Sequence, residues 1–296
     1  MKKFTIVTDS ASDLNKKWRD ENGIAYAKMM MSWTQKDGTT REEYCSLDWD
    51  KISVKDFYDL ERDGVRVFTA QVTMQNYLDV FLPILEKGED VLYIACSSGL
   101  SASLHLAEML ANEELKEKFP NNKVVVFDTL RAGMSEGQIV MRAVELQKEG
   151  KSLEEIIDIL EKEKRSYKEI GIPESLTYLR RAGRVSASAA YFGNIVSLKP
   201  ILMWDEKGSN VAKEKAIGKK KAFKRMAEII KDDIVDPEKQ VIYLMHADCN
   251  LNDIEDFKKV ILELVPVKEI AVEILGPVIG ASSGPGTIIV NYIGKQ

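Results

Sequence analysis

Apolar and polar positions along the chain follow two rhythms. Residues 4–7, 65–68, 90–96 and 123–128 are short runs rich in β-branched residues, the pattern of strands. Residues 74–87, 101–119 and 133–148 carry the 3.6-residue period of helices. Their alternation predicts a mostly parallel sheet joined by crossover helices. Residues 24–33, which hold a run of methionines, add a further strand.

After residue 150 the pattern changes. Gly150 closes one helix and Ser152 caps the next, over 153–164, whose charged face marks a connecting element. Residues 197–204 and 210–216 read as antiparallel strands around a turn at 205–209. A Lys-rich helix near 219–232, a strand at 240–247, a helix at 252–264 and strands at 268–275 and 287–293 follow. The stretch 276–286 is too rich in glycine and proline for regular structure. A length of 296 residues favours two domains. The break falls near residue 165, giving an N-terminal α/β domain, 1–165, and a C-terminal α/β domain, 166–296.

Four stretches stand out from this framework: Thr8-Asp9-Ser10, 69–73, 97–103 and 280–286 are dense in hydroxyls and glycine and lack cationic side chains. Three adjoin predicted strands, so they are expected on the loop edge of one sheet, where ligand sites of open α/β folds form. Neutral donors of this kind suit a small anionic or carbonyl head group. Ser12 and Asp13 are expected to cap the following helix; Asp9, at a strand end, either positions neighbouring loops or serves the site. Thr73 is placed to cap a helix beginning near Met74, and Thr69 is left at a strand tip to reach a ligand oxygen. Hydroxyls and backbone N–H groups around Ser97-Ser98-Gly99 would bind an anion at a helix start. The glycines at 276–286 serve either a tight turn or a direct ligand contact.

Composition removes several classes of function. The net charge of −5 comes from interleaved acids and bases with no basic block, which argues against nucleic acid. Three cysteines without paired spacing and two histidines, His105 and His246, give no disulfide framework or metal cluster and fit a reducing compartment. The first residues break their apolar run too early for a signal peptide, and no run has membrane-spanning length, so the chain reads as cytoplasmic and not membrane-spanning. Gly150-Lys151-Ser152 lacks the leading glycine and strand of a phosphate-binding loop. No dinucleotide fingerprint occurs. Ser101 and His105 sit four apart on one predicted helix, a spacing that is usually incidental.

Thr8-Asp9-Ser10 with Asp13-Leu14, Thr69-x-Gln71, Ser97-Ser98-Gly99-Leu100-Ser101, Phe127-Asp128-Thr129, Leu176 through Val185 and Gly276 through Gly286 resemble, in order and spacing, the DegV family, over essentially the whole chain. The resemblance implies a two-domain α/β protein that holds one long-chain fatty acid, its carboxylate on hydroxyls and its tail in an apolar tunnel. The family includes FakB subunits, which present the fatty acid to a separate ATP-dependent fatty acid kinase subunit for acyl phosphate formation. It therefore implies a substrate-binding subunit that is not itself an enzyme, with no cofactor besides the bound fatty acid and no catalytic or metal residues.

Carried over by position, Thr69 and Ser97 are the expected carboxylate ligands, with Ser98 close behind because either serine could point inward. Ser282 stands where many relatives have histidine and keeps a hydroxyl but no titrating ring. Ala70 and Val72 replace the family's more usual Ser and Pro. Arg184, in a cluster with Arg180 and Arg181, is the expected docking contact for the kinase. Tail-lining candidates are 29–31, 189–192 and 195–202, for any of which ordinary core packing is the alternative. Burying about fifteen methylenes at roughly 0.8 kcal/mol each supplies a gross 12 kcal/mol or so, leaving the head-group site to orient rather than to grip. Two competing functions are a serine-dependent lipid hydrolase using Ser97 or Ser98 and a plain intracellular fatty-acid store.

Overall fold

The computed structural model describes residues 2–185 and 198–296, a mixed α/β chain. It divides into two compact units, one of residues 1–51, 69–164 and 276–278, the other of 52–68, 165–275 and 279–296. The crossing of 52–68 and 276–278 between units has no signature in the local sequence pattern.

In the first unit, β1 (Phe4–Asp9), β2 (Ala25–Ala27), β6 (Asp90–Ala95) and β7 (Val124–Asp128) form a wholly parallel sheet in the order β2-β1-β6-β7. All six residues of β6 are buried, as the apolar run after Asp90 requires of a strand flanked on both sides and covered on both faces. The chain leaves β1 toward β2 through α1 (Lys16–Asn22), and leaves β6 toward β7 through α4 (Ser103–Asn112) and α5 (Glu114–Lys118). Strand order thus reverses between β1 and β6, and the loops after these two strands flank the switch point. The methionine stretch divides: β2 joins the parallel sheet, while β3 (Met30–Thr34) pairs antiparallel with β4 (Thr40–Tyr44) in a separate sheet completed by β5 (Val67–Ala70). Helices α3 (Met74–Leu85), α6 (Met134–Lys148) and α7 (Leu153–Glu163) complete the unit, and Ser152 and Glu155 form a reciprocal capping box at the start of α7.

Two expectations of local structure change. The α1 cap is Asn15, which accepts from Trp18 N, and not Ser12 or Asp13. Asp13 has a positive φ of 53° and turns its carboxylate to the backbone N–H of Gly276, while the Ser12 hydroxyl donates to Asp9 O. The single helix expected over 101–119 is broken between α4 and α5.

The second unit is a six-stranded sheet in the order β10-β9-β8-β13-β11-β12, built from β8 (Tyr167–Ile172), β9 (Leu198–Trp204), β10 (Asn210–Ile217), β11 (Val241–His246), β12 (Glu269–Ile274) and β13 (Ile288–Ile293). Only β11 and β12 run parallel. Helices α9 (Lys219–Asp233) and α10 (Leu251–Leu264) contribute apolar faces, and Phe223 stacks on Phe257 at 4.5 Å in the core with Ile170, Ile242 and Val290. Helices α2 (Val54–Arg62) and α8 (Thr177–Ala182) belong here too. The glycine-rich stretch is in part regular: α11 (Pro277–Ser283) occupies it, with proline at the first position, where a missing N–H costs nothing.

Among the described residues, no helix is long and apolar enough to cross a membrane.

Candidate functional site

Strand β1 delivers Asp9 to the switch point, fully buried. Its Oδ1 accepts from Ala11 N at 2.8 Å, and its Oδ2 lies 3.0 Å from Cys96 N and 2.7 Å from Tyr93 Oη. Tyr93 Oη is 3.1 Å from Tyr77 Oη, which lies 2.8 Å from Ser103 O at the start of α4. Ser103 Oγ in turn accepts from Val72 N, in the loop after Thr69. One buried chain of polar groups thereby ties together the 8–13, 69–73 and 97–103 stretches. Of the two roles open to Asp9, the loop-positioning one is realised in its hydrogen bonds.

Thr69 stands in a different setting from the one its sequence predicts, and its loop meets the cluster through Val72 N. Its strand, β5, lies in the sheet with β3 and not in the parallel sheet, so only the β1 and β6 loops share a sheet edge. Thr69 is half-buried, and Thr73 caps α3 by accepting from Asn76 N.

The two serines after β6 separate cleanly. Ser98 is half-buried, and its hydroxyl donates to Asp128 Oδ2 at 2.5 Å while its N–H points to Asp128 Oδ1. Asp128 Oδ1 also accepts from Leu130 N, so Ser98 is used to hold the turn after β7. Ser97 is fully buried; its N–H donates to Arg131 O and its Oγ accepts from Gly99 N.

The N–H groups of this loop are largely consumed within it. Gly99 N goes to Ser97 Oγ, Leu100 N and Ser101 N go to Ser97 O, and Ser103 N goes to Ser101 Oγ. An anion site on the backbone donors of the loop before α4 therefore loses the N–H groups of Ser98, Gly99, Leu100, Ser101 and Ser103. Ser101 precedes α4 and turns to Ser103 Oγ, while His105 is exposed with Nδ1 3.2 Å from Glu108 Oε2. No Ser101–His105 pair forms for hydrolysis.

Burial dominates the electrostatics of the cluster. It raises the Asp9 carboxyl above its ordinary range, against the opposing pull of its hydrogen-bond contacts with Cys96, Tyr93 and Ala11. Glu136, at the start of α6, accepts from Thr8 Oγ1 at 2.9 Å through Oε1, and its buried Oε2 has no hydrogen-bond partner among the described residues. Its carboxyl is pushed well above the usual range, first by burial and then by the neighbouring Asp9 carboxyl. Tyr77, Tyr93 and Glu136 were not singled out by pattern. Tyr93 lies inside an apolar strand run and Tyr77 on an amphipathic helix, where an aromatic residue reads as core.

In the second unit, Ser282 is half-buried on α11 and donates to Ile279 O at 3.0 Å, a bond within its own helix. Gly284 has φ of 79°, and a Cβ there would stand 2.2 Å from the Tyr178 ring. Close packing in a left-handed turn accounts for that glycine. Arg184 is exposed just beyond Gly183, the left-handed C-cap of α8. Of the tail-lining candidates, Met29 and Met31 are buried in the first unit and Ile201 and Leu202 in the second; 189–192 and 195–197 lie outside the described residues.

The sequence profile described as "Uncharacterised protein, DegV family" matches residues 3–295. The chain belongs to the DegV family. A DegV domain-containing protein of Clostridium perfringens is 35% identical over 294 residues, 99% of this chain and 98% of that one. Among solved structures, the one titled "Fatty Acid Binding of a DegV family Protein from Thermus thermophilus" superposes with a TM-score of 0.83 at 28% identity, covering 99% of this chain and all of that one. DegV of Bacillus subtilis, described as a fatty acid binding protein, superposes with a TM-score of 0.81 at 25% identity over both full chains. The parallel sheet of the first unit and the mixed sheet of the second are thus set in a DegV fold.

Proposed function

We propose that the chain binds one long-chain fatty acid and presents its carboxylate to a separate ATP-dependent kinase subunit, which forms the acyl phosphate. The observation that carries the reading is the placement of buried Ser97 at the switch point of the parallel sheet, between loops whose residues 8–10, 69–73 and 97–103 include no cation. Fatty-acid binding by the Thermus and Bacillus relatives supports it.

Thr69 and Ser97, both in the first unit, are assigned to the carboxylate. Ser98 takes the lesser part because Asp128 already holds its hydroxyl. A carboxylate held by hydroxyls retains more nucleophilic character than one paired with arginine, which suits attack on the γ-phosphorus of ATP. The chain supplies binding and orientation, and the kinase supplies the phosphoryl transfer. Arg184, exposed beyond α8, is assigned to docking.

The test is acyl phosphate formation in a mixture of lipid-loaded protein, kinase subunit and ATP. Arg184→Ala is expected to slow product formation while the bound lipid stays in place. Release of the lipid by that substitution would contradict the docking assignment. Failure of any kinase subunit to co-purify with or act on the loaded protein would leave storage as the function.

A further inference from the structure

Four oxygens stand in a row behind the head-group loops: Asp9 Oδ2, Tyr93 Oη, Tyr77 Oη and Ser103 O, separated by 2.7, 3.1 and 2.8 Å. A hydrogen bond between two oxygens needs one proton between them, so the row needs three. The two phenols supply two, and burial raises both phenols so that they stay protonated. Ser103 O, a backbone carbonyl, supplies none. We propose that Asp9 supplies the third, working as an uncharged acid that positions the head-group loops: Asp9 Oδ2–H donates to Tyr93, Tyr93 to Tyr77, and Tyr77 to Ser103 O.

The remaining contacts of Asp9 fit this form. Oδ1 accepts from Ala11 N and Oδ2 keeps a lone pair for Cys96 N, at 2.8 and 3.0 Å. The titratable groups around it are Tyr93 of β6, Tyr77 of α3, the Cys96 thiol and Glu136 of α6, with Asp13 bearing on Glu136 in turn. None of these is a cation that would hold Asp9 ionised. With Asp9 ionised, Tyr93 must donate to it, and then one of Tyr77's two contacts has no proton.

The inference rests on the proposed fatty-acid site, because it explains how an acid can sit directly behind it. Cys96, whose N–H meets Asp9, precedes Ser97. An ionised Asp9 would repel an incoming carboxylate, and a neutral one holds the same loops without that cost. Linkage then makes ligand affinity depend on the proton: bound carboxylate raises the affinity of Asp9 for its proton, and the proton raises the affinity for the carboxylate by the same factor.

The first measurement uses ligand-free protein labelled at aspartate Cγ with carbon-13, the Asp9 resonance being assigned by its loss in Asp9→Asn. A neutral-acid chemical shift at pH 7 is expected, moving only at higher pH. Tyr77→Phe is the diagnostic variant. In the proposed direction it removes the acceptor of Tyr93, which turns back to donate to Asp9, so the Asp9 midpoint falls by about one pH unit, a tenfold change in proton affinity. In the opposite direction Tyr77 donates toward an ionised Asp9, and its loss raises the midpoint. An Asp9 signal already ionised at pH 7, or a midpoint that rises or stays in Tyr77→Phe, overturns the proposal. The second measurement is palmitate affinity between pH 7 and 9, above the ligand's own titration. Affinity should fall as pH rises through the Asp9 midpoint, and in Tyr77→Phe the fall should move to lower pH. Absence of palmitate binding at every pH would defeat the fatty-acid reading, while the proton on Asp9 is decided separately by the ligand-free spectra.

Discussion

Ser97 and Ser98 are adjacent and chemically identical, yet the fold gives them different work. At the end of a buried parallel strand, side chains alternate between faces; one serine enters the interior and the other meets Asp128 at the rim. Their substitutions should therefore separate. Ser97→Ala and Thr69→Val are each expected to weaken palmitate binding roughly ten- to a hundredfold, the range of a lost hydrogen bond to a charged group at about 1.5–3 kcal/mol. Ser98→Ala should change affinity less and lower thermal stability instead, because it removes the hydroxyl that donates to Asp128 Oδ2. Titration calorimetry beside thermal melts reads both, and equal losses of affinity at the two serines would contradict the assignment. Alternation alone could not say which serine turns inward, because a one-residue change of register exchanges them. The Asp128 contact, distant in sequence, decides it.

Elements were legible where one period ran long and the punctuation was strong. β6 followed from six apolar residues between a turn and a serine pair, and β9 and β10 from two strand patterns around residues 205–209. Legibility failed where tertiary contacts override local chemistry. Asp13 has the residue type of a cap but serves Gly276, 263 positions away. The methionine stretch reads as one strand yet divides between two sheets, and the glycine-rich stretch hides α11. Gly137 makes the same point energetically. It lies inside α6, where alanine is favoured by about 1 kcal/mol, but a Cβ there would stand 2.6 Å from Ser12 O and 3.1 Å from the Leu14 side chain. Gly137→Ala is therefore expected to destabilise the protein by about 1–3 kcal/mol, the usual cost of overpacking. Denaturant unfolding checks it, and a gain in stability would show that the loop carrying Asp9 yields more easily than its hydrogen bonds suggest.

At the scale of the whole molecule, three buried acids bias stability in one direction. Asp9 and Glu136 are raised by burial, and Glu61, nearly fully buried on α2 with Oε2 unpartnered among the described residues, is pushed up to about 8. Unfolded carboxyls titrate at about 4, so between that pH and their raised values the folded chain binds more protons than the unfolded one. The share of stability carried by these three acids then falls as pH rises through this window. Glu61→Gln removes its share, and the urea midpoint should decline less between pH 5 and 8 in that variant than in the parent. An unchanged slope would mean that Glu61 ionises at an ordinary pH. Family membership and overall architecture were legible in ordered motifs spread over the length of the sequence, whereas the Asp9–Tyr93–Tyr77 chain was not, because its members look like core until the fold brings their oxygens together.

The most direct test is native mass spectrometry of the purified protein, parent and Thr69→Val/Ser97→Ala double variant side by side, before and after addition of palmitate. The account predicts one fatty acid per parent chain and its weakened retention in the double variant. A parent that carries no lipid and takes up none at saturating palmitate would contradict it.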